Sequence, residues 1–212
     1  MYVPAEFAES RTEALHALIQ QHPLGTLLTY GSNGLDATHL PFELDVSEGG
    51  LGMLRAHAAR KNPVWQDVGN GEVLVVFQAV DAYISPQWYP SKQETHKQVP
   101  TWNYVVAHAY GRLTARDDER YVRGVVARLT RTHEASQSVP WKMGDAPRDY
   151  IDTLLTEIVG IEIEITRLLG KSKLSQHKDA RDIRGAGEAL KEQGKHRIGD
   201  AMLAHAVAKE NR

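Results

Sequence analysis

Nine residues, Arg55-Ala56-His57-Ala58-Ala59-Arg60-Lys61-Asn62-Pro63, set three cationic side chains and an imidazole where a strand-like run passes into a short helical one. Arginine carries a planar fork matched to phosphate oxygens. A helix start adds free N–H groups and the positive end of its dipole. The chemistry offered is phosphate binding, and the same residues also suit a solvated helix start. A second donor-rich segment, Gly170-Lys171-Ser172-Lys173-Leu174-Ser175-Gln176-His177, follows a strand-like run that ends at Leu169. It can face an anion or form an ordinary basic loop.

Between them lies a proline and aromatic stretch. Tyr83-Ile84-Ser85-Pro86-Gln87-Trp88-Tyr89-Pro90-Ser91-Lys92 is followed by Val99-Pro100-Thr101-Trp102-Asn103-Tyr104. Amphipathic rings beside rigid prolines suit the wall of an aromatic ligand site or a subunit interface. They equally suit a small aromatic core beneath a long loop. The ten histidines are scattered, and strands can bring His39, His57 and His108 together. Unlinked, partly buried imidazoles are the simpler expectation, and no metal site is expected. Glycine-rich phosphate loops, a Gly-x-Ser-x-Gly elbow and a His-Glu-x-x-His pair do not occur.

The elements that must position these groups follow from pattern. Ser10-Arg11-Thr12-Glu13 has capping-box form, and Leu15, Leu18 and Ile19 share a helical stripe that Pro23 ends. Leu24–Tyr30 and Leu35–Leu44 read as strands joined through Gly31-Ser32-Asn33-Gly34, with Pro41 marking the second as an edge or a bulged strand. Gly49-Gly50 leads into a strand over Leu51–His57, and Ala58–Val68 reads as a short helix with Pro63 in its first turn. Glu72–Ala79 is a strand apolar enough to be buried on both faces. Tyr83–Pro100 reads as loop and Trp102–Leu113 as strand, with Gly111 a possible bulge. Asp117 and Asp118 cap a helix with Tyr121, Val122, Val125, Val126 and Leu129 along one face. Pro147 starts another with Ile151, Leu154, Leu155 and Ile158 as its stripe. Residues 161–166 alternate as a half-buried strand. The residues from Asp179 onward form a helical, weakly apolar tail expected to be partly mobile. Strands with hairpin turns and no β-α-β alternation point to an antiparallel barrel with peripheral helices.

With 212 residues the chain can bury a sizeable core without staples. It has no cysteine, which excludes disulfide scaffolds, zinc ribbons and thiol nucleophiles. Neither a membrane-spanning run nor a secretory leader is evident, so a cytoplasmic protein is expected. The net charge is −2, yet residues 171–212 hold ten Lys and Arg against six Asp and Glu. That basic tail can face phosphate or be a solvated helical face.

Together the segments resemble one family, the PaiB-type FMN-binding negative transcriptional regulators, from Met1 to about residue 185. The resemblance is carried by His22-Pro23-Leu24, the 57–63, 83–92 and 99–104 segments quoted above, Val159-Gly160-Ile161-Glu162, and Lys171-Ser172-Lys173-Leu174-Ser175-Gln176. It implies an antiparallel split β-barrel of the pyridoxamine-phosphate-oxidase type; the barrel domain is expected over residues 1–178, with 179–212 as a helical basic tail packed on it or extending from it. It also implies a homodimer with FMN in clefts between subunits. By resemblance, the strand holding Thr38, His39 and Leu40 lies beside the isoalloxazine through backbone groups. His57, Arg60, Lys61 and Asn62 hold the phosphate. Thr101, Trp102 and Asn103 approach the ring or ribityl chain, and Lys173 and Gln176 close the cleft. The chain departs from the family motif at His177, where Asn is usual, and in carrying Arg55 and Lys61. The implied role is negative transcriptional regulation with DNA as a partner, although no helix-turn-helix is evident and the net charge is not that of a DNA-binding protein. The alternatives are an FMN-dependent oxidoreductase on an unknown small molecule, or a sensor or structural dimer with an empty cleft.

Overall fold

The computed structural model describes residues 1–32, 34–47, 50–66 and 71–211. Asn33, Gly49 and Val68, which fall in the expected turns and helix, lie outside them. Strand β1 (Ala8–Glu9) precedes helix α1 (Thr12–Gln21), which ends before Pro23. The next strands are β2 (Leu24–Gly31), β3 (Gly34–Pro41), β4 (Glu43–Asp45), β5 (Met53–Ala59) and β6 (Val73–Ile84). Helix α2 (Pro90–Thr95), strand β7 (Thr101–Arg116) and helices α3 (Glu119–Glu134) and α4 (Arg148–Thr156) follow. Strand β8 (Ile158–Lys173) leads to helices α5 (Ala180–Glu192) and α6 (His196–Glu210). The strand order is β3-β2-β6-β7-β8-β5-β4, with β1 paired to β8. The β2–β3, β2–β6, β4–β5, β5–β8 and β1–β8 pairs are antiparallel.

The chain divides into two compact units. One comprises Thr12–Phe77 and His108–Leu168. Its core alternates along the strands as a pleated sheet requires: Leu27 on β2, Leu54 on β5, Val75 and Phe77 on β6, and Ile161 and Ile163 on β8 are all fully buried. Phe42 meets Phe77 edge to face. Glycine serves close approach at Gly111, where an added methyl would collide with the Glu164 carbonyl. Asp118 caps α3 by accepting the Tyr121 N–H at 2.7 Å, and α3 buries Val122, Val125 and Leu129.

The other unit comprises Met1–Arg11, Gln78–Ala107 and Leu169–Arg212. Its core joins Ile84 and Tyr89 to Ile183, Leu190, Ile198 and Met202 of α5 and α6. The tail is therefore packed rather than loose. Its apolar positions are few, but they fall on faces that close together where glycine allows: Gly187 lies under Leu203, and a methyl on Gly199 would press on Lys191.

Other expectations change for local reasons. The run Leu35–Leu44 breaks at Phe42, whose side chain turns into the core, giving β3 and β4. Strand β5 continues to Ala59, so of the helix expected after it the described residues form only a turn at Pro63–Trp65. Within 83–100, Pro90 starts α2, because its missing N–H costs nothing in a first turn. Leu154 is 45% exposed on α4, outside the buried stripe of Ile151 and Leu155, and Ile158, expected on the same stripe, opens β8 instead. On β6, Val73, Val75 and Phe77 are buried, whereas Leu74 and Val76 are only half-buried. That strand therefore has an outer face which is not fully covered.

Candidate functional site

In the unit built from Thr12–Phe77 and His108–Leu168, a groove of about 730 Å³ runs beside β3. Thr29, Asp36, Thr38, Lys61 and Asn62 give it polar walls, and Leu35, Pro63 and Val64 give it apolar ones. Asn62 is the hinge of this arrangement. Its Oδ1 accepts the Val64 N–H at 2.9 Å, capping the turn that Pro63 begins. Its Nδ2 donates to Thr38 Oγ1 at 3.3 Å, tying the exit of β5 to the edge strand. Lys61 is exposed beside it and has no carboxylate partner among the described residues. His39 is exposed on β3, and Leu40 is buried with its side chain in the core. Around His39 and Leu40 the strand offers a ligand backbone groups at a sheet edge.

Arg60 and His57 belong to the same segment but are committed elsewhere. The Arg60 guanidinium donates to both Asp117 oxygens (2.8 and 2.6 Å) and to the Thr156 and Ile158 carbonyls (2.6 and 3.2 Å). This bidentate pair holds the Asp117 carboxyl below its usual range. The Arg60 N–H donates to the Glu157 carbonyl at 2.7 Å, and Trp65 Nε1 donates to the Arg60 carbonyl at 3.2 Å. Arg60 thus pins the turn from which Lys61 and Asn62 project. His57 pairs across β5 and β8 with Gly160, over which the Tyr121 ring lies. Its Nδ1 is buried without a hydrogen-bond partner, and burial lowers its pKa.

The remaining expected residues gather in the other unit. Lys173 Nζ donates to Thr101 Oγ1 at 2.6 Å. Trp102 is 54% exposed and meets Tyr83 edge to face at 6.1 Å. Lys171 lies over the rings of Tyr2 and Tyr104 (5.9 and 5.3 Å). Asn103 is fully buried, and its Nδ2 donates to Ser175 Oγ at 3.0 Å and contacts Met202 Sδ at 3.3 Å. Gln176 accepts the Leu174 N–H at 2.7 Å and donates to the Ser172 carbonyl. It braces a turn in which Ser175 holds a positive φ of 66°, a conformation unfavourable for a residue with a side chain. His177 meets Phe7 edge to face at 5.4 Å.

The structure adds Asp117, Thr29 and Asp36 to the groups the sequence singles out. Asp117 reads in sequence only as a helix cap, and its pairing with a residue 57 positions away leaves no local signal. Thr29 and Asp36 are opposite each other in the β2–β3 register, so a hairpin alignment would have found them. Among the described residues, no three His, Asp or Glu side chains form a metal-ligating cluster. No helix among them is long and apolar enough to cross a membrane.

The architecture is an antiparallel split β-barrel with peripheral helices. It resembles the solved FAD- and heme-binding protein of Mycobacterium smegmatis, with a TM-score of 0.56 and 14% identity over 78% of this chain and 73% of that one. Residues 1–167 match the family described as "Putative FMN-binding domain", and the chain belongs to that family. A protein of Emericella nidulans is 37% identical over 83% of this chain and 84% of its own length. The protease synthase and sporulation protein PAI 2 of Bacillus subtilis is 29% identical over 90% of this chain and 89% of its own. Membership makes FMN the cofactor, and the donor set fits it. The groove joins a free ammonium, an amide and a hydroxyl at Lys61, Asn62 and Thr38 to an apolar wall, which suits a phosphate joined through a polyol chain to a flat ring.

The buried imidazole has a consequence for stability. As the pH falls below 6.5, His57 in the unfolded chain binds a proton that the folded chain resists, so stability falls with it. His108, His177 and His205 shift in the same direction. We expect His57→Gln to flatten the decline in unfolding free energy between pH 7 and 5 without abolishing it, measured by urea denaturation at each pH. An unchanged slope would remove His57 from this role.

Proposed function

We propose that this chain forms a homodimer holding FMN in clefts shared by two copies, and that it acts as a negative transcriptional regulator of the PaiB type. The observation that carries the shared site is the outer face of the β2–β3 hairpin. In the antiparallel register Leu24, Thr26, Leu28 and Tyr30 sit opposite Pro41, His39, Ala37 and Leu35. Leu24, Tyr30 and Leu35 are 64%, 74% and 81% exposed. An apolar patch of this kind marks an interaction surface. A second copy offers the same patch, as a two-fold interface requires.

In this reading Lys61, Asn62 and Thr38 bind the phosphate, and Arg60 positions them from its pair with Asp117. The edge strand around His39 and Leu40 lies along the ring through its backbone, and His57 stands on β5 opposite Gly160 of β8. Asp36 and Thr29 accept hydrogen bonds from the ribityl hydroxyls. Thr101, Trp102 and Lys173 come from the second copy, Trp102 excluding water from the ring. Asn103 and Gln176 hold that group in place. Bound FMN supplies a redox-active isoalloxazine, and the chain's own groups bind it, orient it and shield it.

Regulation is supported by the PaiB-type resemblance, and FMN-dependent oxidoreduction is the second reading, favoured by membership of an FMN-binding family, since bound flavin supplies redox chemistry. A gel-shift assay over promoter fragments at low and physiological salt separates them, because phosphate-dependent binding weakens with salt. Regulation predicts a retarded band. Absence of any shift, with anaerobic reduction of the flavin by a nicotinamide and turnover on a quinone, would replace it with the oxidoreductase. For the site itself, Lys61→Ala is expected to weaken FMN binding about tenfold or more in a flavin fluorescence titration, the loss of one charge-assisted contact. Undiminished affinity would move the phosphate away from this groove.

A further inference from the structure

Apart from the groove, the same unit has a cavity of about 460 Å³ along the flank of α3. Arg55, Arg116, Arg120 and Arg128 line it, with Asp118 and Glu162 as the acids among its lining residues. Arg120, Gly124 and Arg128 recur every four residues, so they share one helical face.

The donors outnumber the acceptors left to them. Arg120 has no carboxylate partner among the described residues. Arg128 donates to Glu43 through Nε alone, at 2.8 and 2.7 Å, which leaves both terminal nitrogens open. Arg116 directs Nε and one terminal nitrogen to a single Glu162 oxygen, each at 2.6 Å, which leaves the other nitrogen open. Glu162 and the nearby Asp45 are committed, and Asp118 is committed through one oxygen. Glu162 is buried and shared between Arg116 and Arg55. Asp45 takes Arg55 together with the Ser47 N–H and hydroxyl. Asp118 caps the helix through Oδ1. Glycine is unfavourable inside a helix, yet Gly124 stands here. A methyl in its place would lie 3.3 Å from an Arg128 terminal nitrogen, so glycine leaves that guanidinium room.

We propose that this cavity is a second ligand site, distinct from the flavin groove, that binds the phosphate group of a small phosphorylated molecule. A tetrahedral phosphate presents three oxygens to the open ends of Arg116, Arg120 and Arg128, whereas a carboxylate offers two. The cavity is larger than a bare phosphate and is within the size range of small-molecule sites. The phosphate can belong to inorganic phosphate or to a phosphomonoester.

The test is calorimetric titration of the FMN-loaded protein with inorganic phosphate and, separately, with ribose 5-phosphate, while the flavin spectrum is followed. We expect saturable binding with the flavin spectrum unchanged. Tighter binding of ribose 5-phosphate identifies a phosphomonoester site, and equal affinity identifies the bare anion as the ligand. The double variant Arg120→Ala, Arg128→Ala is expected to weaken binding tenfold or more while keeping its FMN. Gly124→Leu, which fills the cavity without removing a charge, is expected to do the same. Three results would each overturn the proposal: neither probe binding, affinity surviving both variants, or displacement of FMN by the probe.

Discussion

A hairpin that buries one face and leaves the other in water governs the structure. Strand β2 sends Gly25, Leu27 and Thr29 inward and Leu24 and Tyr30 outward, and β3 places Leu35 beside Tyr30. The period of two leaves no freedom in this choice, since a one-residue slip would exchange the faces. Next to the hairpin, β6 repeats the division, with Val75 buried and Leu74 and Val76 half-covered. In the proposed dimer these outward residues are the contact. The edge strand β3 then serves the fold, the interface and the cofactor together.

The second constraint is the turn after β5. Arg60 donates four side-chain hydrogen bonds and one from its main chain, all within its own unit. A guanidinium so occupied is a brace rather than an open phosphate fork. It makes the following residues rigid, so Lys61 and Asn62 face the groove from a preorganised turn, which lowers the entropy lost on binding. The same division of labour holds in the other unit. Asn103 and Gln176 are satisfied internally, and Lys173, Thr101 and Trp102 are the groups presented outward.

Much of this is legible in the sequence because the governing signals are local. The apolar runs of β2 and β6, the alternation in β8, the turn glycines, Pro63 at its turn and Asp118 at its helix all act within a few residues. The motif segments around His57–Pro63 and Lys171–Gln176 hold the groups of the proposed site. What escapes is set by contacts between distant positions. Arg60 reads as a free cation until Asp117 is seen beside it. Glu162 reads as the solvent side of an alternating strand, yet it is buried because Arg55 and Arg116 reach it. The tail reads as weakly apolar because its core comes from few residues, matched to Ile84 and Tyr89 about a hundred positions earlier. The second arginine-lined cavity depends on three separate segments and has no local motif.

The shared flavin site is tested most directly by mixing two variants, one chain carrying Lys61→Ala and its partner carrying Trp102→Ala. Each variant alone is impaired at both of its clefts. If every cleft draws Lys61 from one copy and Trp102 from the other, the mixed dimer regains one intact cleft. FMN binding should then return at wild-type affinity with one flavin per two chains. Recovery of no tight site on mixing would place both residues in the same copy's site and contradict a cleft built by two chains.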